Sequence, residues 1–307
     1  MALTVVVGGQ LGSEAKGKLV SYLACSSSVP ASVVRTGGPN AGHTATAPGR
    51  SLTLRQLPSG AIDPRAQLYL AAGMIIDVPL LQKEISRTQV SSGRLHVDAQ
   101  ATLLEESDRQ AESTTSMRER LGSTLSGTGS ATARRILRAP GLRLAQDESS
   151  LSAYLSDVSA MLNADLDAGL PVIVEGTQGF GLSLYHSRVY PFATSRDTSA
   201  AAFLSEAGLS PRLVTDIFLV LRTFPIRVGG NSGPMQGELD WPTLTSLSRS
   251  PEPWLSSPPS PVACAGLAAS TSRWHAVPSR STAPPASRST DLTTSTTKTS
   301  ARAASRT

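Results

Sequence analysis

Cysteine is scarce. Only Cys25 and Cys264 occur in 307 residues, which gives no framework of bridges and no zinc-finger spacing. Cys25 is expected to pack as an ordinary helix residue. Long apolar runs are also missing: no stretch reaches the ~20 residues of a membrane span, so no membrane partner is expected. Residues 2 to 9 are apolar but lack a basic start and run straight into a glycine-rich turn, unlike a secretory leader; a cytoplasmic location is expected. Finally, no excess of positive charge remains once the tail is set aside. The chain carries a net +5, and residues 254–307 alone hold six Lys/Arg and one acidic residue. Residues 1–253 are therefore close to neutral, which gives no reason to expect a nucleic-acid partner.

What the chain does have starts at once. The apolar run Leu3-Thr4-Val5-Val6-Val7 leads into GGQLGSEAKGKLV at residues 8–20, a strand, a glycine turn and the opening of a helix. The spacing Gly12-x4-Gly17-Lys18 satisfies most of a phosphate loop, in which backbone N–H groups cradle phosphate oxygens. Leu19 stands where that pattern places the metal-holding Ser or Thr. Any metal must therefore be held by other groups. A second strand, from Val33, enters Gly37-Gly38-Pro39-Asn40-Ala41-Gly42-His43-Thr44. Glycines there let backbone approach a ligand, and His43 has little side chain around it to form a core. Two such loops after early strands are how an open α/β sheet lines a crevice at its strand ends.

Strands are expected at 3–8, 31–36, 67–71 and 171–175, and helices near 17–24, 77–86, 101–118 and 150–168. This alternation predicts an α/β fold with a mainly parallel central sheet, and about 250 residues suffice for one large domain. Loop 121–130, rich in Gly, Ser and Thr, is expected to stay mobile until nucleotide binds.

With these motifs the chain resembles the adenylosuccinate synthetase family, whose segments look like GxGDEGKGK and GGxNAGHT. The resemblance continues through Gln56–Gly60, Gly122-Ser123-Thr124, Val174–Gly179, Tyr190–Ser195 and Ile226–Pro234, covering roughly residues 1–253. It implies a phosphate-loop fold and a carbon–nitrogen ligase. In such a ligase the purine 6-oxygen attacks the γ-phosphate of a nucleoside triphosphate, and the amine of L-aspartate then displaces phosphate from position 6. Carried over residue by residue, Gly12, Ser13, Glu14, Ala15, Lys16, Gly17, Lys18, Gly42, His43 and Thr44 would hold the triphosphate. Asn40, Ala41, Ser123, Thr124, Arg138, Gln178, Thr194 and Gly229 would hold the purine nucleotide, with Arg138 supplied by a neighbouring subunit of a homodimer. Mg2+ would rest on Ser13 and Gly42, and Ser13 and His43 would be catalytic.

Three departures carry information. Ser13 replaces the family's catalytic aspartate, and a hydroxyl is no base unaided. Ala15 replaces a glycine. Gly-Ser-Glu at this loop is similar to the phage and archaeal succino-2-amino-deoxyadenylate synthase branch, which implies dGMP as substrate; IMP, as in ordinary members, and a non-catalytic nucleotide binder stay open. The third departure is the tail: 37 of residues 254–307 are Ser, Thr, Pro or Ala, too few apolar groups to order themselves. The family's aspartate-binding segment, similar to TTVTGRxRR, is missing there. Yet Leu255–Leu267 can be encoded so that a reading two bases later gives ELTTVTGRVRRV, and the same offset over Ser279–Thr290 can give SLNRPTGIALN. The tail therefore reads as out of frame, leaving the chain as given expected inactive. The offset reading near Lys298 lacks the family's guanine-reading lysine-x-aspartate, which favours ATP over GTP.

Overall fold

A computed structural model of the chain describes residues 3–228, 231, 235, 237–248 and 265–268. Seven strands form one parallel sheet: β1 (Leu3–Gly8), β2 (Ser32–Arg35), β5 (Gln67–Leu70), β7 (Leu95–Asp98), β9 (Leu155–Ser156), β10 (Val172–Glu175) and β11 (Val214–Val220). Their order across the sheet is β11-β1-β10-β2-β5-β7-β9. Every residue of β1, β2 and β10 is buried, as continuous Val/Ile runs require in a sheet covered on both faces. Successive side chains serve opposite faces. Val6 and Val33 join a core with Val20 and Ala24 of α1 (Lys16–Ser26) and Leu81 of α2 (Val78–Thr88). Val5, Val7 and Val34 join another, with Leu162 of α6 (Val158–Asp167) and Phe203 of α7 (Ala200–Glu206).

The expected strands and the first two helices are present, with shifted ends. The single helix expected over 101–118 is not. Thr102–Leu103 forms β8, paired in parallel with β6 (Ile75–Ile76). α3 (Glu106–Thr114) follows, and a left-handed Ser116 breaks it from α4 (Met117–Leu121). The helix expected over 150–168 begins only at Val158, because Asp157 caps it by accepting from Ala160 N–H at 2.9 Å; a 3-10 turn and β9 precede it. Composition did not reveal the hairpin of β3 (His43–Ala47) and β4 (Arg50–Leu54), nor α5 (Thr128–Leu137). Cys25 is exposed on α1 rather than packed.

At the far edge, β11 pairs, among the described residues, with β1 alone, and Phe218 and Leu219, with the following Leu221, are exposed. An apolar parallel edge of this kind is ordinarily covered. Beyond it, β12 (Ile226–Val228) and β13 (Glu238–Leu239) flank β14 (Ala265–Ala268) in a small antiparallel sheet, and α8 spans Trp241–Ser248. The segment expected to lack order thus contributes one four-residue strand. By contacts, Met1–His275 groups as one unit, past the boundary of 253 read from composition. The rest of 254–307 lies outside the described residues.

Candidate functional site

The turns that follow β1, β2 and β10 meet at the carboxyl ends of three adjacent strands, where an open α/β sheet takes its ligands. In the first turn Gly12 and Ala15 both have positive φ, 97° and 72°. Glycine accepts that conformation freely, whereas Ala15 adopts it at a cost of about 1–2 kcal/mol. The Glu14 carboxylate holds the turn from within: Oε1 accepts from Gln10 N–H at 2.9 Å and Gly12 N–H at 2.8 Å. Its Oε2 meets Lys16 Nζ at 2.9 Å, both side chains being buried. Lys16 also donates to the Gly12 carbonyl at 3.2 Å, so its amine is spent inside the turn, while Lys18 is exposed. Arg222, just after β11, donates from Nε to the Ser13 carbonyl and exchanges backbone hydrogen bonds with the Gln10 side chain. Gly17 is required by packing: a Cβ there would lie 2.7 Å from Ser59 Oγ and 2.9 Å from His43 Cβ.

His43 opens β3, and its Nδ1 meets the Glu175 carboxylate at the end of β10. Ser59 donates to the same carboxylate from N–H at 2.6 Å and from Oγ at 2.5 Å. The buried Arg35 guanidinium lies 4.0 Å away and also holds the carbonyls of Ala41 and Leu57. Glu84 of α2 fixes this second wall by accepting from the N–H groups of Arg55, Gln56 and Leu57. Burial works against the Glu175 charge, but His43, Arg35 and Ser59 outweigh it and hold the carboxylate at about 2. Burial, with Arg35 second, pushes the His43 ring down to about 4 against the pull of Glu175. At neutral pH the ring is uncharged; with its Nδ1 proton given to Glu175, it presents an unprotonated Nε2.

This pair makes the fold acid-sensitive. The folded His43 pKa lies below its unfolded value of 6.5, so the unfolded chain binds more protons as pH falls from 6.5 to 4. Stability present above pH 6.5 is lost across that window; Glu175, ordinarily at 4.5, adds a further loss below 4.5. The thermal midpoint is expected to fall by roughly several degrees between pH 6.5 and 5, and His43→Gln should flatten that slope. An unchanged slope in the variant would contradict the assignment.

A cavity of about 460 Å3 opens beside these turns, within the range of small-ligand sites. Gly12, Ser13, Asn40, Ala41, Gly42, His43, Ser123, Thr124, Gln178 and Thr194 line it. Glu14 and Ala15 of the turn, Lys16, Gly17 and Lys18 of α1 and Thr44 of β3 are not among the residues that line it. Arg138 is exposed, ending α5 in a left-handed conformation with Ile136 and Leu137 exposed beside it, and does not reach the cavity. Gly229 lies outside the described residues. Sequence reasoning missed Glu112, Arg120, Arg227 and Asn231, which also line the cavity, and the Arg222 tether. The motif Val174–Gly179 assigns Glu175 no role by itself; its place as the last residue of a buried strand is the available signal.

A doubly covered parallel sheet with a phosphate-loop turn and a cavity at its strand ends defines an α/β protein of the phosphate-loop type. Comparison with known proteins narrows the class. The adenylosuccinate synthetase family profile matches residues 5–147 and 143–253, and the chain belongs to that family. It is 39% identical over 244 residues to the adenylosuccinate synthetase of Methanococcus aeolicus, covering 78% of this chain and 71% of that one. The Thermococcus onnurineus adenylosuccinate synthetase is 38% identical over 239 residues, covering 76% and 69%. Among solved structures, fully ligated adenylosuccinate synthetase from Plasmodium falciparum shares the fold, with a TM-score of 0.76 at 20% identity over 87% of this chain and 72% of that one. Cyanophage S-2L succinoaminodeoxyadenylate synthetase, solved with dGMP and with dATP as energy donor, gives 0.72 at 27% identity over 86% and 77%. The family is one of carbon–nitrogen ligases of purine biosynthesis. Among the described residues no helix is long and apolar enough to cross a membrane.

Proposed function

We propose that this chain derives from a ligase that joins L-aspartate to position 6 of dGMP, with ATP as phosphoryl donor, on a route to diaminopurine deoxynucleotides. The observation that carries the reading is Ser13, a hydroxyl on the cavity wall where the family pattern places a carboxylate. Guanine bears an exocyclic amino group beside its ring nitrogen; the smaller, neutral side chain makes room for it and can both donate and accept a hydrogen bond. The similarity to a synthetase solved with dGMP and dATP supports the same choice. The ring proton then needs another acceptor, and the uncharged His43 Nε2 on this wall can take it. Once protonated, that ring can donate to the developing oxyanion, with Glu175 stabilising the imidazolium.

Asn40, Ala41, Ser123, Thr124, Gln178 and Thr194 hold the purine nucleotide, with Thr194 near its 5′-phosphate. The turn from Gly12 to Lys18, with Gly42, His43 and Thr44, holds the triphosphate. Mg2+ fits on the Ser13 hydroxyl and Gly42 carbonyl, two oxygen donors on one wall, with phosphates completing the shell as this ion prefers. Bound there, it would neutralise phosphate charge. Arg138, exposed beside Ile136 and Leu137, suits donation to a neighbouring subunit, where a guanidinium can grip a phosphate bidentately; Gly229 would complete the purine site. This predicts a homodimer in the cytoplasm.

The aspartate site is the missing part. We read residues 254–307 as out of frame; the exposed apolar side chains at the edge of β11 among the described residues support this. Sequencing the gene across codons 250 to 256 decides it, an intact frame there refuting the idea. The function itself is tested by presenting dGMP and IMP, each with ATP and GTP, to the frame-restored enzyme. The expected result is dGMP favoured with ATP. A tenfold or greater preference for IMP would instead establish the ordinary reaction, IMP with GTP, which the names of the archaeal relatives favour.

A further inference from the structure

The loop from Ser123 to Thr128 puts four hydroxyls on the cavity wall, and those of Thr124, Ser126 and Thr128 are bonded in a chain. Thr124 Oγ1 and Ser126 Oγ lie 2.9 Å apart, and Ser126 Oγ and Thr128 Oγ1 3.2 Å apart. One carboxylate grips the backbone and side chain on either side of these hydroxyls. Glu112, on α3 and 3% exposed, accepts from Gly127 N–H and Gly129 N–H at 2.9 Å each and from Ser123 Oγ at 3.3 Å. No salt bridge reaches Glu112 among the described residues; three neutral donors alone offset its burial, a costly arrangement unless each is kept. Asp108, one turn earlier on α3, holds α5 from the other side through Ser130 and a bidentate pair with Arg134. The two acids differ in address: Asp108 ties helix to helix, whereas Glu112 faces the cavity. The loop expected to be mobile is thus anchored at Ser123, Gly127 and Gly129. The Glu112 carboxylate also takes the Gly127 and Gly129 N–H groups at the amino end of α5, so those two donors are committed to it while the loop hydroxyls face the cavity.

We propose that Glu112 is a positioning residue that sets the Ser123–Thr128 hydroxyls for the purine mononucleotide and leaves the triphosphate turn untouched. The inference rests on the reading of the cavity as the mononucleotide site. It is tested on the 307-residue chain by equilibrium binding of dGMP, IMP and ATP, with amide exchange over residues 122–129. Glu112→Gln turns one acceptor oxygen into a donor facing an N–H. It should weaken dGMP or IMP binding by about tenfold or more, the loss expected for hydrogen bonds to a charged group. ATP binding should change less than twofold, and exchange should rise at Gly127 and Gly129. Glu112→Asp, which keeps the charge, should fall between, and serves if the Gln variant does not fold. Unchanged mononucleotide affinity in a folded variant, or equal losses for ATP, would overturn the proposal while leaving the cavity reading intact. Failure of the parent chain to bind either mononucleotide while binding ATP would overturn both.

Discussion

Restoring the proposed reading frame after Pro253 is expected to raise aspartate-dependent phosphate release by at least about 10³-fold over the 307-residue chain. The family's aspartate segment supplies arginines that pair with two carboxylates. Losing one partner of a desolvated, hydrogen-bonded charge pair costs about 2–5 kcal/mol, and this tail offers no equivalent set. The same restoration should cover β11, where Phe218, Leu219 and Leu221 are now exposed at a sheet edge. Binding of a hydrophobic dye should therefore fall, and solubility rise, together with activity. Phosphate release from the purified 307-residue chain that depends on L-aspartate, at a rate near that of the restored enzyme, would contradict this. Release independent of aspartate would leave only a nucleotide hydrolase or binder.

In the restored enzyme, Ser13→Asp is expected to shift the ratio of kcat/KM for dGMP over IMP toward IMP by about a hundredfold, or roughly 3 kcal/mol. Two effects add. The carboxylate crowds the exocyclic amino group of guanine, and it returns a base to the ring nitrogen of IMP, where positioned proton transfer contributes about 10²–10⁴-fold. Ser13→Ala separates them: it keeps the room but loses the hydroxyl, so dGMP should still be preferred at a lower rate. An unchanged ratio in the Asp variant would show that Ser13 does not choose the base. Arg222, which holds the Ser13 carbonyl rather than its hydroxyl, keeps the turn in place through these substitutions.

The central sheet was legible because β1, β2 and β10 are buried on both faces, and burial of that kind writes itself as unbroken Val and Ile. The two glycine loops were legible for a related reason: backbone that must approach a ligand excludes side chains. Shorter elements were hidden. The β3–β4 hairpin reads HTATA and RSLTL, with too few large apolar residues for a period to show. The helix predicted over 101–118 failed because Thr102 and Leu103 are claimed by a two-residue pairing with Ile75 and Ile76, a long-range contact that local periodicity does not record. The same limit applied to the site. His43 announced itself by its neighbours, whereas Glu175, Arg35, Glu112 and Arg222 act through partners far away in sequence, and only the fold brings them together. Lys16 shows the converse: its motif marks it for phosphate, and its 2.9 Å pairing with Glu14 is something the motif does not announce.

Crystallising the restored polypeptide with dGMP is the most direct test of how Ser13 selects its purine. The account predicts the Ser13 hydroxyl within hydrogen-bond distance of the guanine edge that carries the amino group and ring nitrogen. A hydroxyl turned away from the bound base, with that edge read by other side chains, would contradict it.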